Sequence, residues 1–279
     1  MRSSLEVYDL ASGTARALLQ SDQVIEAPNW HPDGYLLVNS GGGLYRVPLD
    51  APRLLPVDTG FARRCNNDHG FSRDGDHILF SSHRDRGAEI FRIPVTGGDP
   101  ELLSPDAPSW FHGTAPDGRG MVYVAARGGT RVIDVFTKAW DQPEVRLTKG
   151  EGQCDGPEYS ADGTLIYYNC DRTGRAQIWV MQANGTRQRQ LFADDQVNWF
   201  PHPSPDGRHI LYLAYPTGTE GHPRDLPVAL CLMSPDGSDR RRVLEFTGGQ
   251  GSINVPCWSP DSRAFAFLRY RLPVGPDQG

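Results

Sequence analysis

The chain has 279 residues, with 28 Lys and Arg against 34 Asp and Glu and a net charge of −6. Hydrophobic residues make up 38%, enough for a core, so wholesale disorder is excluded. The acidic balance argues against a nucleic-acid coat, and no apolar run approaches the ~18–20 residues that span a bilayer. Residues 1–9 hold no apolar leader segment. The first elements are two short strands within about residues 3–20, carrying Leu5, Val7, Leu18 and Leu19 and joined by a Ser12-Gly13 turn.

From there one unit recurs six times. An aromatic or small residue is followed by Ser or a relative, then Asp-Gly or Asp-Ser, then a short apolar run. The anchor aspartates are Asp33, Asp74, Asp117, Asp162, Asp206 and Asp261, spaced 41, 43, 45, 44 and 55 residues apart. Each Pro-Asp-Gly reads as a tight turn, in which Pro presets φ, Asp caps and Gly takes positive φ. Alternating strands follow, such as residues 164–169, then a Gly-containing connection, a third strand such as residues 176–181, and a fourth ending in Leu191. Nothing sustains a 3.6-residue apolar period. Four antiparallel strands per unit at a 40–50-residue period predict an all-β six-bladed propeller. Its blades span about residues 24–56, 65–104, 108–149, 153–193 and 197–246. The sixth, 252–273, is completed by the N-terminal strands of 3–20. The whole of 1–279 is then one domain whose closure hides the free edges.

The units resemble those of the TolB-like propeller family, which read roughly P-x-W-S-P-D-G. Residues 28–34 (Pro-Asn-Trp-His-Pro-Asp-Gly), 256–261 and 157–163 carry the likeness. The resemblance implies the fold and leaves function open, because propellers serve as enzymes, scaffolds and receptors alike. It implies a periplasmic relative with an additional N-terminal domain, for which this chain has no room. Five cysteines, odd in number and without a CxxC, suit a reducing cytosol. A cytoplasmic monomer is therefore expected, periplasmic if a leader has been removed.

The first strand of each blade lines the channel, so residues just before each anchor crowd one mouth. They include Glu26 and Asn29; Asn66, Asn67, Asp68 and His69; Trp110 and His112; Asp155 and Glu158; Asn198, Trp199 and His202; and Asn254. Two blades replace the structural proline with His69-Gly70 and His112-Gly113, and the glycines leave room for a ligand. His69, His112 and His202 are candidate ligands of one divalent metal ion such as Mn, Zn or Ca. The alternative is a wet channel lined by separate polar groups.

Asp155 and Glu158 are candidate general bases. Arg127, Arg172 and Arg224 suit bidentate recognition of a carboxylate, or else pair with neighbouring acids. His222 and Arg224 lie in a long insertion, a candidate lid or recognition loop. Trp110 and Trp199 either stack on a sugar or plug the channel. Trp30, Phe71, Tyr159 and Trp258 read as inter-blade packing, and His31, His77 and His209 as surface residues. By analogy with oligogalacturonate lyases, the histidines would hold the metal, Asn198 or Glu158 would assist, and Arg172 or Arg127 would hold a substrate carboxylate. The resulting expectation is a small polar, anionic carbohydrate-like ligand acted on by a lyase or hydrolase. The alternative is a protein-interaction scaffold.

Overall fold

A computed structural model describes residues 2–271. Five four-stranded antiparallel sheets follow one another along the chain, each in simple meander order. Their innermost strands are Glu26–His31, Cys65–Phe71, Ser109–Thr114, Cys154–Tyr159 and Val197–Pro203, and they define blades 1 to 5. The sixth sheet has the order Thr14–Ser21, Arg2–Asp9, Ala264–Arg271. Leu5 there lies opposite Leu268, and Tyr8 opposite Phe265. The ring is therefore a six-bladed propeller closed by pairing of N- and C-terminal strands, as the repeat arithmetic requires. No helix is long and apolar enough to cross a membrane among the described residues.

Blade 6 departs from expectation at its inner edge. Instead of a regular strand near 252–258 there is a four-residue helix, Gln250–Ile253, followed by a single bridge between Trp258 and Phe265. The loop before it is tightly packed. A Cβ on Gly249 would sit 1.9 Å from the Pro223 carbonyl oxygen, so the chain turns where only glycine fits.

The Ser-x-Asp-Gly turns carry their own hydrogen bonds. Ser72 Oγ donates to Asp74 Oδ1 at 2.6 Å while accepting the amide of His77 at 2.9 Å. The same pattern recurs at Ser160, Ser204 and Ser259. Each turn thus satisfies backbone groups that would otherwise be orphaned. His31 corrects the surface reading. It is 4% exposed, stacks on Tyr35 and bonds the Gly75 carbonyl oxygen, so it joins blades 1 and 2.

The cysteines also correct the expectation. Cys154 and Cys170 face each other across two strands of blade 4 and form a disulfide. Cys65, Cys231 and Cys257 are free and buried, and burial pushes the Cys65 thiol up to about 12 and Cys231 up to about 11. Alkylation under denaturing conditions should therefore label three thiols without reductant and five with it, counted by intact mass.

Closure should dominate stability. Leu5, fully buried in the blade 6–blade 1 core, is expected to lose about 2–5 kcal/mol as Leu5→Ala. The exposed Leu102→Ala should stay within about 0.5 kcal/mol, both read by urea denaturation.

Candidate functional site

Every regular inner strand contains a register shift just before its turn. In blades 1, 4 and 5 the residue before the proline takes positive φ: Ala27 at 56°, Gly156 at 58° and Phe200 at 55°. A non-glycine residue there is held against a backbone cost of order 1–3 kcal/mol. The bulge re-aims the two residues on either side of it. Polar side chains from one blade consequently reach another, and a belt of links forms at the channel.

Four links define that belt. His112 Nε2 lies 3.0 Å from Asp155 Oδ1, joining blades 3 and 4. His202 Nδ1 lies 2.6 Å from Glu158 Oε2, joining blades 4 and 5, and its Nε2 meets the Ile253 carbonyl oxygen. Asn254 Nδ2 donates to Asp68 Oδ1 at 2.8 Å, and Asn66 Nδ2 donates to the other oxygen. His69 lies between Asn29 Oδ1, at 2.6 Å from Nδ1, and Asn39 Oδ1, at 3.2 Å from Nε2.

Above the belt is a cavity of about 640 Å³ at the predicted mouth. Asn66, Asn67, Asp68, Trp110, His112, Asp155, His222, Arg224 and Asn254 line it, as anticipated. Asn39 also lines it and was not anticipated; its signal is the polar Asn39-Ser40 end of the strand Tyr35–Ser40. The 216–225 insertion crosses the mouth as a strap. Arg224 Nε bonds Glu26 Oε1 at 3.0 Å, tying blade 5 to blade 1. His222 packs its ring edge-on to Trp199 at 4.4 Å and brings Nε2 to 3.8 Å from Asp155.

The remaining candidates lie elsewhere. His69 and His202 are below the cavity with both ring nitrogens facing protein oxygens, so the three histidines do not present nitrogens to one point. Among the described residues no three His, Cys, Asp or Glu side chains have a metal-holding arrangement. These residues do not fit a His-ligated metal at the mouth. Gly70 and Gly113 do not line this mouth but the cavity at the opposite end of the channel, and a Cβ on Gly70 would meet the Phe111 ring at 3.0 Å.

Asn198 is fully buried on Gln177 and Asp194, and Trp199 belongs to the blade 5 core. Arg127 grips Glu144 with Nε and Nη2 at 2.8 and 2.9 Å. Arg172 pairs with Glu151, and its Nε and Nη2 lie against the disulfide sulfurs. The arginines thus neutralise the protein's own acids. With Glu26, Asp68 and Asp155 facing the mouth, the cavity does not favour an anion.

Burial pushes the Asp68 and Glu158 carboxyls up. Asp155 is also raised by burial, but the His112 hydrogen bond and charge outweigh that and leave it below the usual range. Burial lowers His112, yet Asp155, Asp68 and Glu158 together bring it above 6.5. Burial drives His69 to about 3, so that ring is neutral. His112 makes no hydrogen bond through Nδ1 among the described residues. A carboxylate-oriented imidazole with one unused nitrogen at a cavity can accept or deliver a proton.

The raised His112 stabilises the fold below 6.5, and this contribution is lost as pH rises through its folded value. The lowered Asp155 contributes above about 4, its unfolded value, and this is lost as pH falls through its folded one. His112 should titrate above 6.5 by NMR, and below it in Asp155→Asn.

A profile of the TolB beta propeller domain matches residues 103–224. The chain is 44% identical to an uncharacterized protein of Agrobacterium fabrum over 278 residues, 98% of this chain and 94% of that one. It is similar to the solved structure of a protein assigned as TolB from Agrobacterium tumefaciens, with 43% identity, TM-score 0.95, and coverage of 98% of this chain and 99% of that one. The Tol-Pal system protein TolB of Francisella tularensis is 25% identical over 87% of this chain, which spans only 56% of that relative's length. An oligogalacturonate lyase solved with manganese shares 12% identity at TM-score 0.58, over 94% of this chain and 77% of that one, a likeness of fold alone.

Proposed function

Because this chain belongs to the TolB-like β-propeller family, we propose that it is a binding propeller whose axial mouth seats a small uncharged polyhydroxylated ligand of carbohydrate type. The observation that carries this reading is the cavity itself. A half-buried Trp110 shares it with Asp68, the Asn66 and Asn254 amides, and the His112–Asp155 pair. An aromatic face with convergent donors and acceptors suits a sugar ring. About 640 Å³ lies within the 300–1,000 Å³ usual for small-ligand sites.

The unused Nδ1 of His112 favours a second reading, hydrolysis or proton transfer on that ligand. His112 would be the general base and Asp155 would orient it. The lyase-like scheme with a histidine-bound metal is not part of the proposal. A scaffold role remains the competitor, and it needs a tolerant mouth rather than these residues. The disulfide favours an oxidising compartment over the cytosol.

Calorimetric titration of neutral mono- and oligosaccharides tests the reading. Trp110→Ala should weaken binding about tenfold or more, equivalent to about 1.4 kcal/mol. His112→Gln should retain binding and lose any turnover. Absence of sugar binding by the wild type, with a partner protein still captured by Trp110→Ala, would establish the scaffold instead.

A further inference from the structure

The opposite end of the channel holds a second cavity, of about 540 Å³, between the Pro-Asp-Gly turns. Four of its rings come from one repeat position, three residues before the anchor aspartate: Trp30, Phe71, Tyr159 and Trp258. Trp258 is 6% exposed and fixed by its Nε1, which donates to the His202 carbonyl oxygen at 2.9 Å. Trp30, Phe71 and Tyr159 lean on core clusters between blades, yet they keep partly exposed rings that line the cavity. Prolines of the turns, such as Pro116 and Pro205, extend the same apolar wall.

Most polar groups on that wall already have partners. Ser72, Ser160 and Ser204 each donate to the aspartate of their own turn at 2.6 Å. Asn29 Nδ2 donates to the Pro256 carbonyl oxygen at 2.8 Å. Glu158 is the one carboxylate side chain in the lining among the described residues, and its Oε2 meets His202 Nδ1 at 2.6 Å. His202 Nε2 faces the Ile253 carbonyl oxygen, which can only accept, so Nε2 carries a proton. The Nδ1–Glu158 contact then shares one further proton, and the pair is neutral whichever atom holds it. Burial, which pushes the Glu158 carboxyl up, also disfavours an uncompensated charge there.

Three groups remain, and all can donate. Arg73 lines the cavity from an exposed turn position and makes no salt bridge among the described residues. Trp30 Nε1 and the Tyr159 hydroxyl have no hydrogen-bond partner among the described residues. The anchor aspartates nearby are not part of the lining; Asp74 and Asp162 also accept the amides of Asp76 and Thr164, both at 3.0 Å.

This census narrows the occupant. A cation would find no uncompensated negative charge on the wall. A neutral hydrocarbon would leave Arg73 and two further donors unused. A carboxylate carried on a flat apolar body satisfies both halves, because rings pack against rings and a guanidinium binds a carboxylate through charge-assisted hydrogen bonds. We propose that this turn-side cavity binds an aromatic monocarboxylate, with its ring among Trp30, Phe71 and Tyr159 and its carboxylate on Arg73. The site is separate from the sugar-type mouth and does not depend on it.

The test uses the full chain. The probes are 2-naphthylacetate and its uncharged counterpart 2-naphthylacetamide, titrated by calorimetry at neutral pH. The carboxylate should bind saturably and about tenfold more tightly than the amide. Arg73→Ala should weaken the carboxylate about tenfold and leave the amide unchanged, while urea denaturation matches the wild type because Arg73 is exposed. Arg73→Lys should recover part of the loss, since it restores charge without the planar fork. Trp30→Leu should weaken acid and amide alike, which separates the ring from the charge. Decanoate, of equal charge without a ring, should bind more weakly than 2-naphthylacetate. Equal binding of acid and amide, no binding of the acid by folded wild type, unchanged affinity in Arg73→Ala, or tighter binding of decanoate would each overturn the proposal. None of these results bears on sugar binding, which Trp110 and His112 variants report.

Discussion

Closure of the ring is the constraint from which the rest of the structure follows. Arg2–Asp9 pairs along its full length with Ala264–Arg271, and Arg269 bonds Glu6 through Nε and Nη2. Each blade alone is a small twisted sheet that cannot bury both faces. Stacked in a closed ring, each sheet packs against two neighbours, and the cores between blades merge side chains of consecutive repeats. The cluster holding Leu5, Val38 and Leu268 spans blades 6 and 1, and that of Val122, Val135 and Ile166 spans blades 3 and 4. Once six blades close, the inner strands must face a common axis, and whatever their bulges carry is brought together there.

What they carry is a belt of buried polar pairs rather than an open tube. His112–Asp155, His202–Glu158, Asp68–Asn254 and His69–Asn29 each cross a blade boundary. Burying such groups is tolerable only because each finds a partner. The belt divides the channel into two cavities of contrasting character. The one beneath the 216–225 strap is polar and hydrogen-bonding, and the one among the turns is lined by Trp30, Phe71, Tyr159 and the prolines and serines of the turns. Glu158 lines the turn-side cavity, whereas His112 and Asp155 line the other, so adjacent links of one belt serve different sides.

The fold was legible because its signals repeat. Six turns with an aspartate at a fixed place, four of them with Ser two residues before it, set the blade count, and the unpaired hairpins at the two ends dictated how the ring shuts. The departures have local causes that periodicity does not carry. One helical turn after the tightly packed Gly249 stands where the inner strand of blade 6 was expected, and Cys154 and Cys170 became neighbours only through strand register. The site was legible by position and not by contact. The residues before the anchors do reach the mouth in blades 2, 3 and 4, as Asp68, His112 and Asp155 show. Whether a histidine points at a ligand or at a neighbouring carbonyl depends on the bulge and the rotamer, which a linear pattern does not specify. His69 and His202 were lost to asparagine amides and to Glu158 and Ile253 in that way. The arginines found acids that lie far off in sequence, such as Glu144 for Arg127 and Glu26 for Arg224.

The closing strand pair also sets the order in which the molecule assembles. Its contacts join residues on opposite ends of the chain, such as Tyr8 with Phe265, whereas the meander contacts inside blades 1 to 5 are local. Bringing distant segments together costs loop-closure entropy before any contact repays it, so the nearby hairpins form first and the seam forms last. Until then the second strand of blade 6 presents an open, strongly apolar edge, with Phe265, Phe267 and Leu268 unshielded. That transient edge is a template for pairing with another copy, so the route to the closed ring is a kinetic race between self-sealing and intermolecular strand exchange.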